Sequence, residues 1–298
     1  MIHFISTCTD RKTLTPSIRA RDLTATTAKE RAQEWVTSIS RVSGSTAAGD
    51  TYIGESAGAA VTAAKRAKAR HLICSAGYGL IDATTNIAGY SATFASPHAD
   101  EVTGTPQQPI ARRHWWQVLR RDILIGAPTL SALGHEGPIV VAASPVYLDA
   151  MHDELVAGLA SGARIIVVTS GTLRGPLEEV HVPVKGRLRG TLGGSMMSIN
   201  VRVAARIMEE LPERRLNVEN ARALVSALTI SAPELERFGR CALSDDEVID
   251  FITGHLLEDR SIPHSRLLRL LRDSGSACEQ RRFRSLYSLA SSALPSEE

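Results

Sequence analysis

The chain has 298 residues, of which 43% are hydrophobic and 22% are charged, and its formal net charge is +2. This composition is typical of a folded protein with one or two cores and excludes an intrinsically disordered chain. The four cysteines are scattered with no CxxC pair, which excludes a disulfide framework and a zinc knuckle. No apolar run approaches the roughly 20 residues of a membrane span, and no signal-peptide pattern is present. We therefore expect a cytoplasmic protein with no membrane partner, metal or cofactor.

Strand-like and helix-like patterns alternate along residues 1–212, where we place the first domain. Short apolar strands are predicted at Ile2–Ser6, His71–Cys74, Pro138–Ala143 and Arg164–Val168. Helices are predicted at Thr27–Arg41, Ser56–Lys68, Ala111–Ile125, Tyr147–Ala160 and Ser195–Leu211. This alternation predicts an α/β fold, with a mostly parallel sheet covered by helices.

Residues 213–298 contain no strand of comparable strength, and we predict a C-terminal all-helical domain. Capping boxes at Ser244–Glu247 and Ser276–Glu279 each open a helix, and a further helix begins at Pro263. Two helices joined by the glycine-containing turn Asp273–Gly275 are typical of a helix-turn-helix.

Positive charge is concentrated in this C-terminal region. The segment Arg260–Arg284 has seven arginines and two acids, a local charge of +5 that leaves −3 for the rest of the chain. This asymmetry favours a polyanion partner, and DNA is the partner that we predict. The arginines expected to contact nucleic acid are Arg266, Arg269, Arg272, Arg281, Arg282 and Arg284. The alternative is an ordinary helical domain with a solvated basic face.

Candidate catalytic residues follow the first two strands of the predicted sheet. The first strand leads into Cys8 and Asp10, then Arg11 and Lys12, and the second ends at Ser75. Ligands of open α/β sheets bind beyond the carboxyl ends of the strands, so these residues can meet in one crevice. Neighbouring cations favour a thiolate, which makes Cys8 a candidate nucleophile.

A second candidate segment follows Ser75. Tyr78 lies between two glycines, Gly77 and Gly79, which permit close approach of the backbone to a ligand, and the tyrosine ring offers a stacking surface. Tyr90 and Thr93 follow on a small-residue loop. We predict base binding by Tyr78, Gly79, Tyr90 and Thr93, although glycines around a tyrosine also occur by chance in turns.

A third candidate is the basic, glycine-rich segment Lys185–Ser195, which precedes a predicted helix. Its spacing matches neither a P-loop nor a GxGxxG fingerprint, so it does not indicate a nucleotide cofactor. An anion cradle for a nucleic-acid phosphate, with Arg187 and Arg189, is compatible with the pattern, and a solvated loop is the alternative.

Three motifs in the first 100 residues resemble those of the YaaA-like family. They are Cys8-Thr9-Asp10-Arg11-Lys12, Ser75-Ala76-Gly77-Tyr78-Gly79-Leu80 and Ile87-Ala88-Gly89-Tyr90-Ser91-Ala92-Thr93-Phe94. The family includes DNA-binding proteins of oxidative stress. It also includes a component of bacterial 7-deazapurine DNA modification that converts 7-cyano-7-deazaguanine in DNA to the 7-amide. The resemblance implies an enzyme of this second kind.

In this hypothesis the Cys8 thiolate attacks the nitrile of a base flipped out of duplex DNA, and Lys12 or Arg11 protonates the nitrogen. Ser75 steadies the developing charge, while Tyr78 and Tyr90 sandwich the base. Direct addition of water to the nitrile, with Cys8 only structural, is the alternative within this hypothesis. One alternative is a non-catalytic DNA-binding protein. Another is a glycosylase or base-exchange enzyme acting on DNA or tRNA, with Asp10 or Asp82 as its carboxylate. The alternatives differ in whether Cys8 or one of these acids faces the crevice.

Overall fold

The computed structural model describes residues 1–105, 108–234 and 239–293. The chain forms two compact units, Met1–Glu234 and Leu235–Glu298. This division differs from the predicted one at residues 212 and 213. The reason is the helix Val218–Ser231, which buries Ala221 and Val225 in the core of the first unit.

A six-stranded mixed sheet forms the centre of the first unit. Its strands are β1 (His3–Thr7), β2 (Arg70–Ser75), β3 (Gly79–Asp82), β4 (Ile139–Ala142), β5 (Ile165–Thr169) and β6 (His181–Pro183). The order is β6-β5-β4-β1-β2-β3, and every neighbouring pair is parallel except β2 and β3. The antiparallel edge arises because Gly79, with a φ of +72°, lets the chain reverse directly after β2.

Helices cover both faces of this sheet. They are α1 (Ala28–Ile39), α2 (Ala48–Thr51), α3 (Glu55–Ala67), α4 (Pro109–Asp122), α5 (Leu130–Glu136), α6 (Pro145–Ala160), α7 (Leu188–Leu192), α8 (Ile199–Glu210) and α9 (Val218–Ser231). Alternate residues of β4 belong to different cores. Val141 lies in the core that also contains buried residues of α1, α4, α5 and α6, whereas Val140 lies in the core that contains buried residues of α3, α8 and α9. The sheet therefore has no face left in water along its central strands, as its apolar sequence predicts.

The strand order reverses direction beside β1. From β1 the chain proceeds to β2 on one side, and later to β4, β5 and β6 on the other. The carboxyl ends of β1 and β4 therefore flank the switch point, where open α/β sheets bind their ligands.

The second unit contains α10 (Asp245–Glu258), α11 (His264–Asp273) and α12 (Gln280–Ala293) around one apolar core. The capping box at Ser244 and Glu247 is confirmed, since both of its hydrogen bonds are present. The predicted capping box at Ser276 is wrong. Ser276–Ala277 pairs with Cys241–Ala242 as a two-residue ladder, and the Glu279 carboxylate accepts the N–H groups of Arg281 and Arg282 in the first turn of α12.

Within residues 1–105, 108–234 and 239–293, no helix has the length and apolar content needed to cross a bilayer.

Candidate functional site

The Cys8 thiol lies at the carboxyl end of β1, beside the switch point. Its backbone N–H donates to the Cys74 carbonyl (2.9 Å), a hydrogen bond of the last residue pair of the β1–β2 ladder, Thr7 with Cys74. Its Sγ lies 3.2 Å from the Tyr147 hydroxyl in the first turn of α6, the helix that follows β4. The loops after β1 and β4 thus meet through these two side chains, and Cys8 is only 6% exposed.

Three buried hydroxyl groups form a closed ring next to this pair. The Tyr52 and Tyr90 hydroxyl oxygens are 2.8 Å apart, and each lies within hydrogen-bond distance of Ser75 Oγ, at 3.1 and 2.7 Å. Ser75 Oγ also accepts the N–H groups of Gly77 (3.2 Å) and Tyr78 (3.1 Å). Ser75 therefore organises the β2–β3 turn and positions two tyrosines. Its hydroxyl proton is used in a hydrogen bond within this ring.

Lys12 reaches the same group from the loop after β1. Its backbone pairs with Tyr52 in an isolated antiparallel bridge, which fixes the start of the side chain. The ammonium lies 4.5 Å from the centre of the Tyr90 ring and donates to the Asp10 carbonyl oxygen. Lys12 is half-buried and places a cation over the tyrosine face.

The electrostatics of the site keep its phenols neutral. Burial raises the pKa of Tyr52, Tyr90 and Tyr147 well above the ordinary tyrosine value, and the charge of a Cys8 thiolate would raise all three further. Burial likewise raises the pKa of the neighbouring Cys74 thiol well above its ordinary value. The Tyr147 hydroxyl, which contacts the Cys8 sulfur, and the nearby Tyr52 and Tyr90 hydroxyls therefore keep their protons at neutral pH.

The structure brings together Cys8, Lys12, Ser75 and Tyr90. Thr93 is buried, and its Oγ accepts the Ala95 N–H (3.0 Å). Asp10 does not join them. Its side chain is 66% exposed and its carboxylate lies 3.5 Å from His98 Nε2.

The predicted sandwich of Tyr78 and Tyr90 is wrong for this conformation. The rings meet edge-to-face, with centroids 5.4 Å apart and planes at 78°, which leaves no slot for a base between them. The Tyr78 hydroxyl accepts the Ala88 N–H, and Gly79 supplies the turn after β2. Both residues thus have structural partners.

Asp82 lies at the other end of the sheet. It pairs with Leu72 and its carboxylate accepts a hydrogen bond from Arg70, the first residue of β2. Neither acid named for a glycosylase is therefore among the groups around the Cys8 sulfur.

The sequence reasoning missed Tyr52 and Tyr147. The small number of tyrosines was the available signal in the sequence. The chain has five, and four of them lie in this core: Tyr52, Tyr78, Tyr90 and Tyr147. Tyr147 also lies shortly after the predicted strand Pro138–Ala143, at the start of a predicted helix.

The glycine-rich loop before α8 does cradle an anion, but the anion is Glu55 from the start of α3. The Glu55 carboxylate accepts hydrogen bonds from the Ser195 N–H (2.8 Å), Ser198 Oγ (2.8 Å) and Arg202 (2.9 Å). These donors, the Ser195 N–H first, lower its pKa to about 2. The predicted phosphate site is thus filled by the chain itself.

Arg187 and Arg189 hold this part of the chain together. The Arg187 guanidinium donates to the Ala232 carbonyl, and Arg189 Nε donates to the Gly194 carbonyl (3.0 Å). Both side chains thus have partners within the chain, and contact of either one with a phosphate stays a prediction.

The six predicted arginines of the second unit divide into two groups. Arg272 donates to the Cys278 carbonyl, and Arg282 binds Asp245 and the Leu243 carbonyl, so both stabilise the unit. The other four are exposed on α11 and α12: Arg266, Arg269, Arg281 and Arg284.

No protein-family model, no curated protein and no solved structure matches this chain.

Proposed function

We propose that this chain is an enzyme that hydrates the nitrile of 7-cyano-7-deazaguanine in DNA to the 7-amide, with Cys8 as its nucleophile. The observation that carries the proposal is the position of the Cys8 sulfur, at the switch point of the sheet and 3.2 Å from the neutral Tyr147 hydroxyl. A thiol at this place suits covalent addition to an electrophilic carbon. The substrate is the one that the three sequence motifs imply.

The reaction consumes one water and needs no oxidant or reductant. The Cys8 thiolate forms a C–S bond to the nitrile carbon, and the nitrile nitrogen takes a proton, which gives a thioimidate. Water then adds to the same carbon, the C–S bond breaks, and the thiol and the amide are released. Lys12 supplies positive charge and a proton beside Tyr90. Because Cys8 is 6% exposed, the flipped base reaches the sulfur only after the surrounding side chains separate.

DNA binding is assigned to the second unit. Arg266 and Arg269 are three residues apart on α11, and Arg281 and Arg284 are three apart on α12, so each pair lies on one helix face. Exposed guanidinium groups bind phosphate oxygens without reading sequence. In this proposal, α11 and α12 dock as a helix-turn-helix-like element and the first unit carries out the chemistry.

Mass spectrometry of nucleosides tests the activity. Duplex DNA carrying 7-cyano-7-deazaguanine is incubated with the wild-type protein, with Cys8→Ser and with Cys241→Ser as the matched control, and is then digested. We expect a nucleoside heavier by one water with the wild-type and Cys241→Ser proteins and none with Cys8→Ser. A fully active Cys8→Ser protein would refute the covalent route, and a released free base would indicate a glycosylase.

A second candidate function is non-catalytic DNA binding, which the burial of Cys8 and the four exposed arginines favour. It predicts that the protein binds the modified duplex and returns the nucleoside unchanged. Binding measured on the same DNA separates this outcome from an inactive preparation.

A further inference from the structure

Residues 94–99, which we call the strap, form a loop whose two ends are held firmly. Just outside it, Thr93 and Glu101 pair in an isolated parallel bridge, and the Thr93 N–H donates to the Asp100 carbonyl (3.0 Å). The buried Asp100 carboxylate accepts two hydrogen bonds from the Arg21 guanidinium, at 2.6 and 2.8 Å. Both ends of the strap are therefore fixed to the body of the first unit.

The strap contacts both segments that meet at the Cys8 sulfur. Its Phe94 ring packs edge-to-face on the Tyr147 ring, with centroids 5.2 Å apart, and the Tyr147 hydroxyl contacts the sulfur. Its His98 Nε2 lies 3.5 Å from the carboxylate of Asp10, two residues after Cys8. The strap therefore reaches from the first turn of α6 to the loop after β1, across the switch point of the sheet.

These two contacts are of different kinds. The Phe94 side chain is fully buried, whereas the other side chains of the strap are partly or fully exposed. The Asp100 N–H donates to His98 Nδ1 (3.0 Å), so the proton of the neutral ring is on Nε2, and 3.5 Å to the Asp10 oxygen is longer than an ordinary N–H···O hydrogen bond. One aromatic pair and one long polar contact separate at a lower cost than the strands of the sheet.

We propose that the strap is the gate of the Cys8 site: it moves away between its fixed ends, lifts the Phe94 ring off Tyr147 and opens the path by which the flipped base reaches the sulfur. The proposal rests on the proposed function, in which a base must reach a sulfur that is only 6% exposed. This motion leaves the sheet closed, and with it the buried Cys74 thiol of β2. Its signature is a Cys8 thiol that becomes accessible while Cys74 stays protected.

Alkylation by iodoacetamide, followed by mass spectrometry of peptides, measures this opening without DNA. The full chain carries Cys241→Ser, because that thiol is exposed and would consume the reagent. We expect Cys8 to be labelled at least about 10-fold faster than Cys74, at a rate that low concentrations of urea leave nearly unchanged, because a local opening exposes little surface. A Cys8 that is labelled no faster than Cys74, or with the same urea dependence, would overturn the proposal.

Variants of the strap test its part in the opening. His98→Ala removes the polar contact and should speed Cys8 labelling, relative to Cys74, by about 2- to 5-fold. Phe94→Leu removes the ring contact, keeps an apolar side chain and should speed it by about 3- to 10-fold. His135→Ala, at an exposed histidine on α5, is the matched control and should leave both rates unchanged.

Unchanged Cys8 labelling in both strap variants would also overturn the proposal, because the reagent then reaches the sulfur by another route. His98 is partly exposed, so His98→Ala keeps the test decisive if Phe94→Leu does not fold. A strap that opens in a protein that returns the modified nucleoside unchanged would refute the nitrile reaction and leave the gate standing. An active protein whose Cys8 labelling is insensitive to the strap would refute the gate alone.

Discussion

His71 makes the stability of the first unit depend on pH. It lies on β2, stacks on Phe4, and its Nε2 is 2.8 Å from the Ser6 hydroxyl. Burial lowers the pKa of His71 from 6.5 to about 4, against the opposing effect of Asp82. The folded protein therefore resists protonation at a site that the unfolded chain protonates readily.

The sign follows from proton linkage. Between pH 6.5 and 4 the unfolded state binds a proton that the folded state does not, so stability falls as the pH falls through this window. Above the window both states are neutral and the contribution is constant. At about 1.36 kcal/mol per unit, the full effect is about 3 kcal/mol, of which about 2 kcal/mol is lost between pH 7 and pH 5.

Urea unfolding followed by tryptophan fluorescence measures this loss. All three tryptophans, Trp35, Trp115 and Trp116, lie in the first unit, so the signal reports that unit alone. The amide of His71→Gln can still bond Ser6. We expect this variant to lose about 2 kcal/mol less unfolding free energy than the wild type between pH 7 and pH 5. Exposed His135 on α5 supplies the matched control, His135→Gln, which should keep the wild-type slope.

His3 contributes a slope of the same sign, because burial also lowers its pKa, and this slope remains in the His71→Gln variant. If His71→Gln and the wild type lose the same stability between pH 7 and pH 5, then His71 is protonated in the folded protein and the reasoning is wrong.

Two further predictions concern the turn and the second unit. A Cβ at Gly77 would lie 2.5 Å from the Tyr90 ring, which Ser75 and Tyr52 hold in place, so Gly77→Ala should cost about 1–3 kcal/mol in the same urea assay. Gly58→Ala on α3 meets nothing within 4 Å and should be neutral or stabilising, and equal effects of the two would contradict the packing argument. For DNA binding, alanine at Arg266, Arg269, Arg281 or Arg284 should each reduce the slope of log affinity against log salt by about 1. Arg121→Ala, which removes an exposed arginine paired with Asp122 in the first unit, is the control, and unchanged slopes for the other four would show that they do not contact phosphate.

The sheet was predictable because its central strands are buried on both faces and appear as continuous apolar runs, such as Ile139–Ala142. The strand β3 was not, since Gly79–Asp82 is short and its direction depends on one positive φ at Gly79. The helix Val218–Ser231 lies beyond the predicted boundary because the alternation of strands and helices ends before residue 213. Packing of its apolar stripe on the first unit, which no local pattern reveals, decided its place.

The site was predictable where it depends on strand ends. Cys8 follows β1 and Ser75 is the last residue of β2, the neighbouring parallel strand, so their proximity follows from topology alone. Ring orientation depends on packing, however, and the edge-to-face contact of Tyr78 and Tyr90 could not be inferred from their spacing. Nor does a basic, glycine-rich loop reveal whether its anion comes from outside or, as with Glu55, from a helix 140 residues earlier in the chain.

Glu55 gives the loop before α8 a ligand that cannot diffuse away. A free anion would hold the same N–H and hydroxyl donors only at concentrations near its dissociation constant, whereas a tethered carboxylate is present at a fixed and high local concentration. With Glu55 present, the loop is always ordered. If a neutral residue replaced Glu55, the order of the loop would depend on the concentration of inorganic phosphate or sulfate in the medium. One side chain thus sets whether the α3–α8 face is insensitive to the surrounding anions or responds to them.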